Sequence, residues 1–281
     1  MRKILSLLFI CITLSQPCFA WSTSPQKYEQ KAIQKLLKSQ IKYANKNNFE
    51  KFIKTYDSKY INSDGFNLDT YSKLVKEIWD TYDNIKYDIE IKNINIDGNK
   101  AQAELIETSF AEIAMSKVYE GELKSKANTV YNLEKINGSW KVVSDSVLDE
   151  TTTMLYGDAA NLDIKLSVPT EIAASTDYVA TLEFTPPEKT IAIASLASDI
   201  VEYPQKPTKE VFRSLPEDNI LERFFTSNNQ NANEYVVASI GLTKTEICDL
   251  SLKLNLTGFG YAIRRVNVIP NQKEDINEQN K

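Results

Sequence analysis

Acid–base chemistry is restricted to few residue types in this chain, because it contains no histidine. That absence excludes Ser-His-Asp and Cys-His catalytic arrangements, the common zinc ligand sets and imidazole acid–base catalysis. A group that exchanges protons near neutral pH must then be a carboxyl group whose pKa is raised, or a lysine or tyrosine whose pKa is lowered. Such shifts require burial beside specific partners. Any enzymatic hypothesis therefore depends on a buried group of one of these types.

Asp88 and Glu107 are the two carboxylates that we consider for such a role. Most charged residues here alternate with apolar ones on predicted strands, which directs them to the solvent face. The apolar alternation changes phase near Asn93, which indicates a β-bulge, and a register shift of one residue would turn these carboxylates inward. Neither residue lies in a recognisable catalytic motif. We therefore predict that no side chain acts as a catalytic acid or base.

The remaining reactive groups favour structural roles. Cys248 is the only cysteine after residue 20, so no internal disulfide can form, and its apolar-alternating context predicts a buried thiol. Asp57, Asp64 and Asp69 flank Gly65, but their spacing is not that of an EF-hand loop and a bidentate glutamate is missing. We predict no metal site and no cofactor.

The net charge argues against nucleic acid as a partner. The chain carries a formal charge of −5, and its lysines are mixed with acidic residues. An acidic chain of this kind does not attract a polyphosphate backbone. Arg264 and Arg265 are the only adjacent arginines. They could hold an anionic partner or protect a strand edge.

The N-terminus has the features of a secretory signal peptide. Arg2 and Lys3 precede an apolar run over residues 4–14, and Cys18-Phe19-Ala20 places small residues at the −3 and −1 positions. The run is too short to span a bilayer, which needs roughly 20 residues. A lipoprotein signal at Cys18 is the alternative, although Pro17 does not suit it. We expect cleavage after Ala20 and export to the periplasm or beyond the cell, with no membrane span in the mature chain.

Residues 21–154 predict a mixed helical and strand unit. Ser24-Pro25 starts a first helix, Asn47 caps a short second one, and a third runs from about Leu68 to Tyr82. The apolar period then changes from 3.6 to 2. Turn signals at Asp97-Gly98 and Asn137-Gly138 divide the following residues into four antiparallel strands.

This order of elements, with the turn over residues 97–101 and the ending Asn137-Gly138-Ser139-Trp140-Lys141-Val142-Val143, resembles a nuclear-transport-factor-two-like (SnoaL-like) domain over residues 25 to about 150. The resemblance implies an α+β cone in which a curved antiparallel sheet wraps a long helix. An isomerase-like site in such a cone would need an inward carboxylate beside an inward tyrosine, for which Tyr82, Tyr119 or Tyr131 could supply the phenol. Asp88 or Glu107 would supply the acid, but the family motifs assign neither.

A hollow cone would place aromatic side chains around a ligand pocket, whereas a filled cone would pack them as ordinary core. The pocket candidates are Trp79, Tyr82, Phe110, Tyr131 and Trp140.

The second half of the chain predicts an all-β domain. Gly157 interrupts the pattern, so residues 155–161 are expected to form a linker. Seven short strand-like runs follow within residues 162–270, which indicates an immunoglobulin-like β-sandwich, or else a small barrel. A long exposed connection is expected from Tyr203 to Asp218, and residues 271–281 are expected to form a disordered tail.

These patterns favour an exported, non-catalytic binding protein with an apolar pocket in the cone and a sandwich that acts as spacer or docking domain. The alternatives are an isomerase- or dehydratase-like enzyme acting on a hydrophobic small molecule and a structural accessory of an envelope assembly. The expected partners are accordingly a hydrophobic small molecule or an envelope protein, and a homodimer through the cone sheet is a further expectation.

We predict that the mature protein begins at Trp21. The small residues before it fit the signal peptidase site, so the exported product should lack residues 1–20. Intact mass of the exported protein tests this. A lipid-modified Cys18, or a product that retains residues 1–20, would contradict it.

Overall fold

A computed structural model describes residues 23–117, 119–206, 208–248 and 251–271. The expected signal peptide and all but the first residue of the expected tail lie outside these ranges, as does the side chain of Cys248. None of the helices within the described ranges is long and apolar enough to cross a membrane.

The first unit of the described chain contains three helices and then four strands, as the sequence predicts. The helices are α1 (Thr23–Ala44), α2 (Phe49–Ile53) and α3 (Leu68–Thr81). The strands are β1 (Lys86–Asp97), β2 (Lys100–Ser116), β3 (Tyr119–Ile136) and β4 (Ser139–Gly157). Asn48, rather than the expected Asn47, caps α2, and Asn67 caps α3 through a side-chain oxygen that accepts from Thr70 N.

Strands β1 to β4 form an antiparallel meander with irregular register. The register between β1 and β2 shifts between Ile91 and Asn93, which confirms the predicted bulge. The pairing of β3 with β4 shifts twice, between Asn128 and Thr129 and between Asn132 and Leu133. Each shift inserts an extra residue into β4, so the set of β4 side chains that faces the helices changes along the strand.

One apolar core lies between these helices and the concave face of the sheet. Ile33 and Leu37 of α1 are fully buried, and they pack with Trp79 of α3 and with Leu133 and Val142 of the sheet. We call this part of the chain, residues 23–154, the cone unit. The predicted α+β combination of three helices and an antiparallel sheet is confirmed for it.

The second half contains eight strands within the described ranges. They are β5 (Lys165–Ser167), β6 (Glu171–Ala173), β7 (Asp177–Glu183), β8 (Thr190–Ile200), β9 (Arg213–Ser214), β10 (Ile220–Thr226), β11 (Glu234–Cys248) and β12 (Ser251–Ile269). The last three predicted runs cover residues 235–242, 247–254 and 261–269. In the structure they belong to the two long strands of one hairpin, in which Cys248 pairs with Ser251. Strands β6 and β9 were not predicted, because each is too short to show an alternation of apolar and polar residues.

One large sheet runs through both halves of the chain, in the order β1-β2-β3-β4-β12-β11-β8-β9, with β6 added parallel to β12. Its two parts meet where β4 pairs with β12, from Thr151 opposite Arg264 to Gly157 opposite Gly258. Residues 155–157 were expected to begin a linker but complete β4, and residues 158–161 form a 3₁₀ turn. The interruption at Gly157 marks the end of this strand. Independent folding of the two halves stays a prediction.

A second apolar core lies in the C-terminal half. It joins buried residues of the small sheet β10-β7-β5, such as Leu182, to those of β8, β11 and β12, such as Leu196 and Val236. This core shares no buried residue with the core of the cone unit. The immunoglobulin-like class of this half stays a prediction.

A buried ion pair ties the halves together. Arg265 of β12 is 1% exposed, and its guanidinium donates to both carboxylate oxygens of Asp64, at 2.5 and 3.1 Å. Asp64 lies in the loop before α3 and also accepts from Asn233 Nδ2 at 2.7 Å. Arg264 donates to Asp149 at 2.7 Å. Both arginines therefore form ion pairs within the fold.

We predict that Asp64→Asn lowers the free energy of unfolding by about 3–5 kcal/mol, because it leaves the buried guanidinium of Arg265 without an opposite charge. Asp69→Asn is the matched control, since Asp69 pairs with Lys73 on the exposed surface of α3. Its effect on stability should be much smaller, because exposed ion pairs contribute little. Urea unfolding measures both. Equal stability of the two variants would contradict the structural role of the buried pair.

Candidate functional site

Strand β2 directs Glu107 into the cone unit. Its buried residues Ala101, Ala103 and Leu105 alternate with exposed ones, and Glu107 is the next residue on the same face. The register shift against β1 leaves its extra residue, Lys92, in β1, and no register shift against β3 lies between these residues and Glu107, so the alternation of β2 continues unbroken. Simple alternation therefore points this carboxylate inward, and the bulge near Asn93 is not needed.

Two hydroxyl groups of β3 hold the Glu107 carboxylate. Tyr131 donates to Oε1 at 2.8 Å, and Thr129 donates to Oε2 at 2.6 Å. Both donors are buried, with Tyr131 6% and Thr129 3% exposed. A carboxylate has about four lone-pair directions, so each oxygen keeps one free for another partner.

Glu107 and Tyr131 line a small chamber in the cone unit, with a volume of about 150 Å³. The chamber lies between the three helices and the sheet, and its wall is otherwise largely apolar and aromatic. The other lining residues are Gln40, Ile41, Ala44, Phe52, Tyr56, Tyr71, Leu74, Val75, Ile78, Trp79 and Tyr87. The interior of the cone is therefore not completely filled by side chains.

A second carboxylate, Asp145, lies in the same core. The extra residue that the bulge inserts near Val143 of β4 changes which side chains face inward, from Val142 before it to Asp145 after it. Asp145 is 8% exposed, and its Oδ2 accepts from the Tyr60 hydroxyl at 2.5 Å. Asp145 was not among the predicted site residues, although the adjacent valines at 142 and 143 break the alternation of the strand pattern.

Tyrosine rings fill the space beside the two carboxylates. Tyr56, Tyr60 and Tyr71 pack with ring centroids 5.0 to 5.4 Å apart, and the hydroxyl oxygens of Tyr56 and Tyr71 are 3.1 Å apart. Burial raises the pKa of each of these three phenols. They therefore remain protonated at neutral pH and can serve as hydrogen-bond donors.

Burial shifts both carboxyl groups toward their neutral forms. Desolvation raises the pKa of Glu107, against the lowering effect of the hydrogen bonds from Thr129 and Tyr131. Desolvation also raises the pKa of Asp145 to about 6, and the nearby charge of Glu107 adds to this rise. Carboxyl groups that titrate closer to neutral pH are suited to acid–base work.

Gln40 of α1 adds an unpaired polar group to the chamber wall. This residue is 3% exposed, and its buried Nε2 has no hydrogen-bond partner among the described residues. Buried amides in native proteins are usually paired with protein, water or a bound molecule. The missing partner favours a chamber that holds a molecule with a hydrogen-bond acceptor.

The five predicted pocket residues do not form one site. Trp79 and Tyr131 line the chamber. Tyr82 lines a separate cleft, and Trp140 lines an open surface groove and donates to Glu29 at 2.7 Å. Phe110 is 40% exposed, because it lies on the opposite face of β2 from Ala111.

Two other residues considered for the acid–base site also lie outside the chamber. Asp88 is exposed on β1, where its carboxylate accepts from Ile89 N. Tyr119 is the first residue of β3, and its hydroxyl donates to the carbonyl oxygen of Leu256 in β12 at 2.9 Å. Of the carboxylate and tyrosine candidates, Glu107 and Tyr131 are therefore the pair that the structure brings into contact.

No protein-family model matches the chain, and no curated protein matches it. Solved structures do resemble the N-terminal ~43% of the chain. One is a Bdellovibrio bacteriovorus protein, 13% identical, with a TM-score of 0.38, covering 45% of this chain. The match spans only 42% of that protein.

Two further similar structures carry fold descriptions that agree with the sequence resemblance. One is a candidate dehydratase of the nuclear-transport-factor-two-like family from Streptomyces avermitilis, 10% identical, with a TM-score of 0.36, covering 43% of this chain and 95% of that one. The other is a Caulobacter vibrioides protein with a cystatin-like fold, 16% identical, with a TM-score of 0.33, covering 42% of this chain and 87% of that one. At these scores and identities the function has to be argued from this chain's own residues.

We predict that Asp145→Asn reduces the pH dependence of stability. The folded-state pKa of about 6 lies above the ordinary value of 3.8, so the protonated carboxyl stabilises the fold at low pH and this contribution is lost as pH rises through about 6. The difference corresponds to about 3 kcal/mol between pH 3.5 and pH 7.5. Asparagine keeps an acceptor for Tyr60 without the charge, and so should remove that loss.

Urea unfolding at the two pH values measures this effect. Asp88→Asn, which changes an exposed carboxylate of the same sheet, should keep the wild-type pH dependence. An unchanged pH dependence in Asp145→Asn would show that Asp145 does not titrate as its burial implies.

Proposed function

We propose that the cone unit binds a compact, mainly apolar small molecule in the chamber and that Glu107 exchanges a proton with it. This is the isomerase- or dehydratase-like alternative, and it replaces our expectation from the sequence that no side chain acts as a catalytic acid or base. The observation that carries the proposal is the contact of the inward Glu107 carboxylate with the Tyr131 hydroxyl, at 2.8 Å, beside an unfilled chamber.

The chamber sets the size and character of the molecule. A volume of about 150 Å³ is similar to that of an apolar protein cavity that accommodates benzene, so the bound molecule has about one ring. Trp79, Phe52 and Ile78 provide apolar contact, and Gln40 provides an amide for one acceptor oxygen. A small cyclic or branched carbonyl compound meets these requirements.

The proposed reaction depends on the ionisation state of the Glu107 carboxyl group. Its ionised carboxylate can remove a proton from a carbon next to a carbonyl group, because a free lone pair remains on each oxygen. The resulting carboxylic acid can return that proton to a different carbon, which completes an isomerisation with no other reactant. Tyr131 and Thr129 fix the orientation of the carboxylate throughout.

We also propose that the protein works outside the cytoplasm, on the basis of the signal-peptide pattern in residues 1–20. A further proposal is that the C-terminal half is a β-sandwich that acts as spacer or docking domain. The packing of two sheets on one apolar core supports the sandwich assignment. A binding protein without turnover is the competing function, and homodimerisation through the cone sheet stays a prediction.

The isomerisation of 3-cyclohexen-1-one to 2-cyclohexen-1-one tests the proposal, because it needs only a proton transfer between two carbons. Ultraviolet absorbance follows the conjugated product. We expect turnover by the wild-type protein, and a value of kcat/KM that rises with pH as Glu107 ionises. Glu107→Gln should lower kcat/KM by about 100- to 10,000-fold.

Glu104→Gln is the matched control, because Glu104 lies on the exposed face of the same strand. It should keep wild-type turnover. Binding of cyclohexanone, measured by calorimetry, separates the two functions. Binding without any turnover would establish a binding protein and refute proton transfer. Absence of both would exclude the chamber as a site for ring-sized carbonyl compounds.

A further inference from the structure

A larger cleft opens where the cone unit meets the C-terminal half, and we call it the junction cleft. It has a volume of about 580 Å³, within the range of small-molecule sites. Its walls come from α3 and β4 on one side, and from β8, β11, β12 and the segment after β8 on the other. The lining residues are Phe66, Leu74, Glu77, Ile78, Thr81, Tyr82, Glu150, Thr152, Asp199, Val201, Glu202, Tyr203, Pro204, Gln205, Thr208, Tyr235, Val237 and Ile263.

The charged lining of the junction cleft is entirely acidic. It contains four carboxylates and no lysine or arginine. Glu202 pairs with Lys206 at 2.9 Å, whereas Glu77, Glu150 and Asp199 form no ion pair with any described residue. The nearby guanidinium of Arg265 is already neutralised by Asp64. The cleft therefore carries an excess of negative charge.

Tyr235 lies between two of these carboxylates in the sheet. Its hydroxyl donates to Glu150 Oε2 at 3.0 Å, and its backbone lies opposite Asp199 in the β11–β8 register, on the same face of the sheet. Glu150 also accepts from the Thr152 hydroxyl at 3.2 Å. Burial raises the pKa of Glu150, against the lowering effects of the hydrogen bond from Tyr235 and of the charge of Arg265. A cation bound beside Glu150 would further favour its ionised form.

The rest of the cleft surface suits an apolar body attached to the cation. Leu74, Ile78 and Val237 provide aliphatic contact, and Tyr82 and Tyr203 provide aromatic rings. Aromatic rings near carboxylates attract organic ammonium groups through both the π-face and the negative charge. A metal ion fits less well, because the described residues contain no cluster of carboxylates that could hold one.

We propose that the junction cleft binds an organic amine in its ammonium form, with the charge toward Glu150 and Asp199 and an apolar ring against α3 and Tyr82. This site is distinct from the chamber, although Leu74 and Ile78 contribute to the walls of both. The carboxylates select for positive charge, and the volume of the cleft admits a molecule of two fused rings with a short chain.

Three indole compounds that differ mainly in charge test the proposal. They are tryptamine, which is cationic, tryptophol, which is neutral, and indole-3-propionate, which is anionic. Titration calorimetry at low salt should give a tryptamine affinity about tenfold or more above that of tryptophol, since a hydrogen bond to a charged group is worth that factor or more. The anion should not bind. Added salt should weaken tryptamine binding, because it screens the half-exposed carboxylates.

Two variants locate the site. Asp199→Asn and Glu150→Gln should each lower the tryptamine affinity by about tenfold and leave tryptophol binding nearly unchanged. Asp163→Asn, an exposed acidic residue outside the cleft, should keep the wild-type affinity. If Glu150→Gln fails to fold, Asp199→Asn alone decides the matter. Equal binding of amine and alcohol, unchanged affinity in Asp199→Asn, or no tryptamine binding up to about 5 mM would each overturn the proposal.

Discussion

The ion pair between Arg265 and Asp64 constrains the arrangement of the whole molecule. The two residues are 201 positions apart, and their side chains are 1% and 7% exposed. Because a buried guanidinium without its carboxylate costs several kcal/mol, the loop that carries Asp64 must remain against β12. That loop leads directly into α3, so the pair also fixes the helix that separates the chamber from the junction cleft.

The two bulges of β4 explain how one strand directs one carboxylate into the core of the cone unit and another into the junction cleft. After the first, Asp145 faces the core of the cone unit, and after the second, Glu150 faces the junction cleft. Each carboxylate is held by a tyrosine hydroxyl, from Tyr60 and Tyr235 respectively. Desolvation raises the pKa of both groups, so the fold keeps groups that reduce its stability at neutral pH. Such groups are concentrated at functional sites in proteins.

The large sheet is continuous across the two halves of the chain. Each half has its own apolar core, as expected for two domains, yet β4 and β12 pair over seven residues. Close approach of the strands requires Gly260, where a Cβ atom would lie 2.6 Å from the Met154 carbonyl oxygen. The halves therefore meet through backbone hydrogen bonds and not through a flexible linker. The junction cleft exists because this pairing holds both of its walls.

The sequence by itself determined the local elements, because caps, turns and apolar periods act between near neighbours. The apolar period predicted α3 from about Leu68 to Tyr82, Asp97-Gly98 and Asn137-Gly138 marked hairpins, and the phase change near Asn93 marked a bulge. The alternation of β2 also places Glu107 on the inward face, although we had expected a register shift at the bulge to be needed for that orientation. Only the tertiary structure decided which polar groups meet. Tyr60 and Asp145 are 85 residues apart, and a single inserted residue in β4 reverses which side chains face inward, so no local pattern reveals that contact.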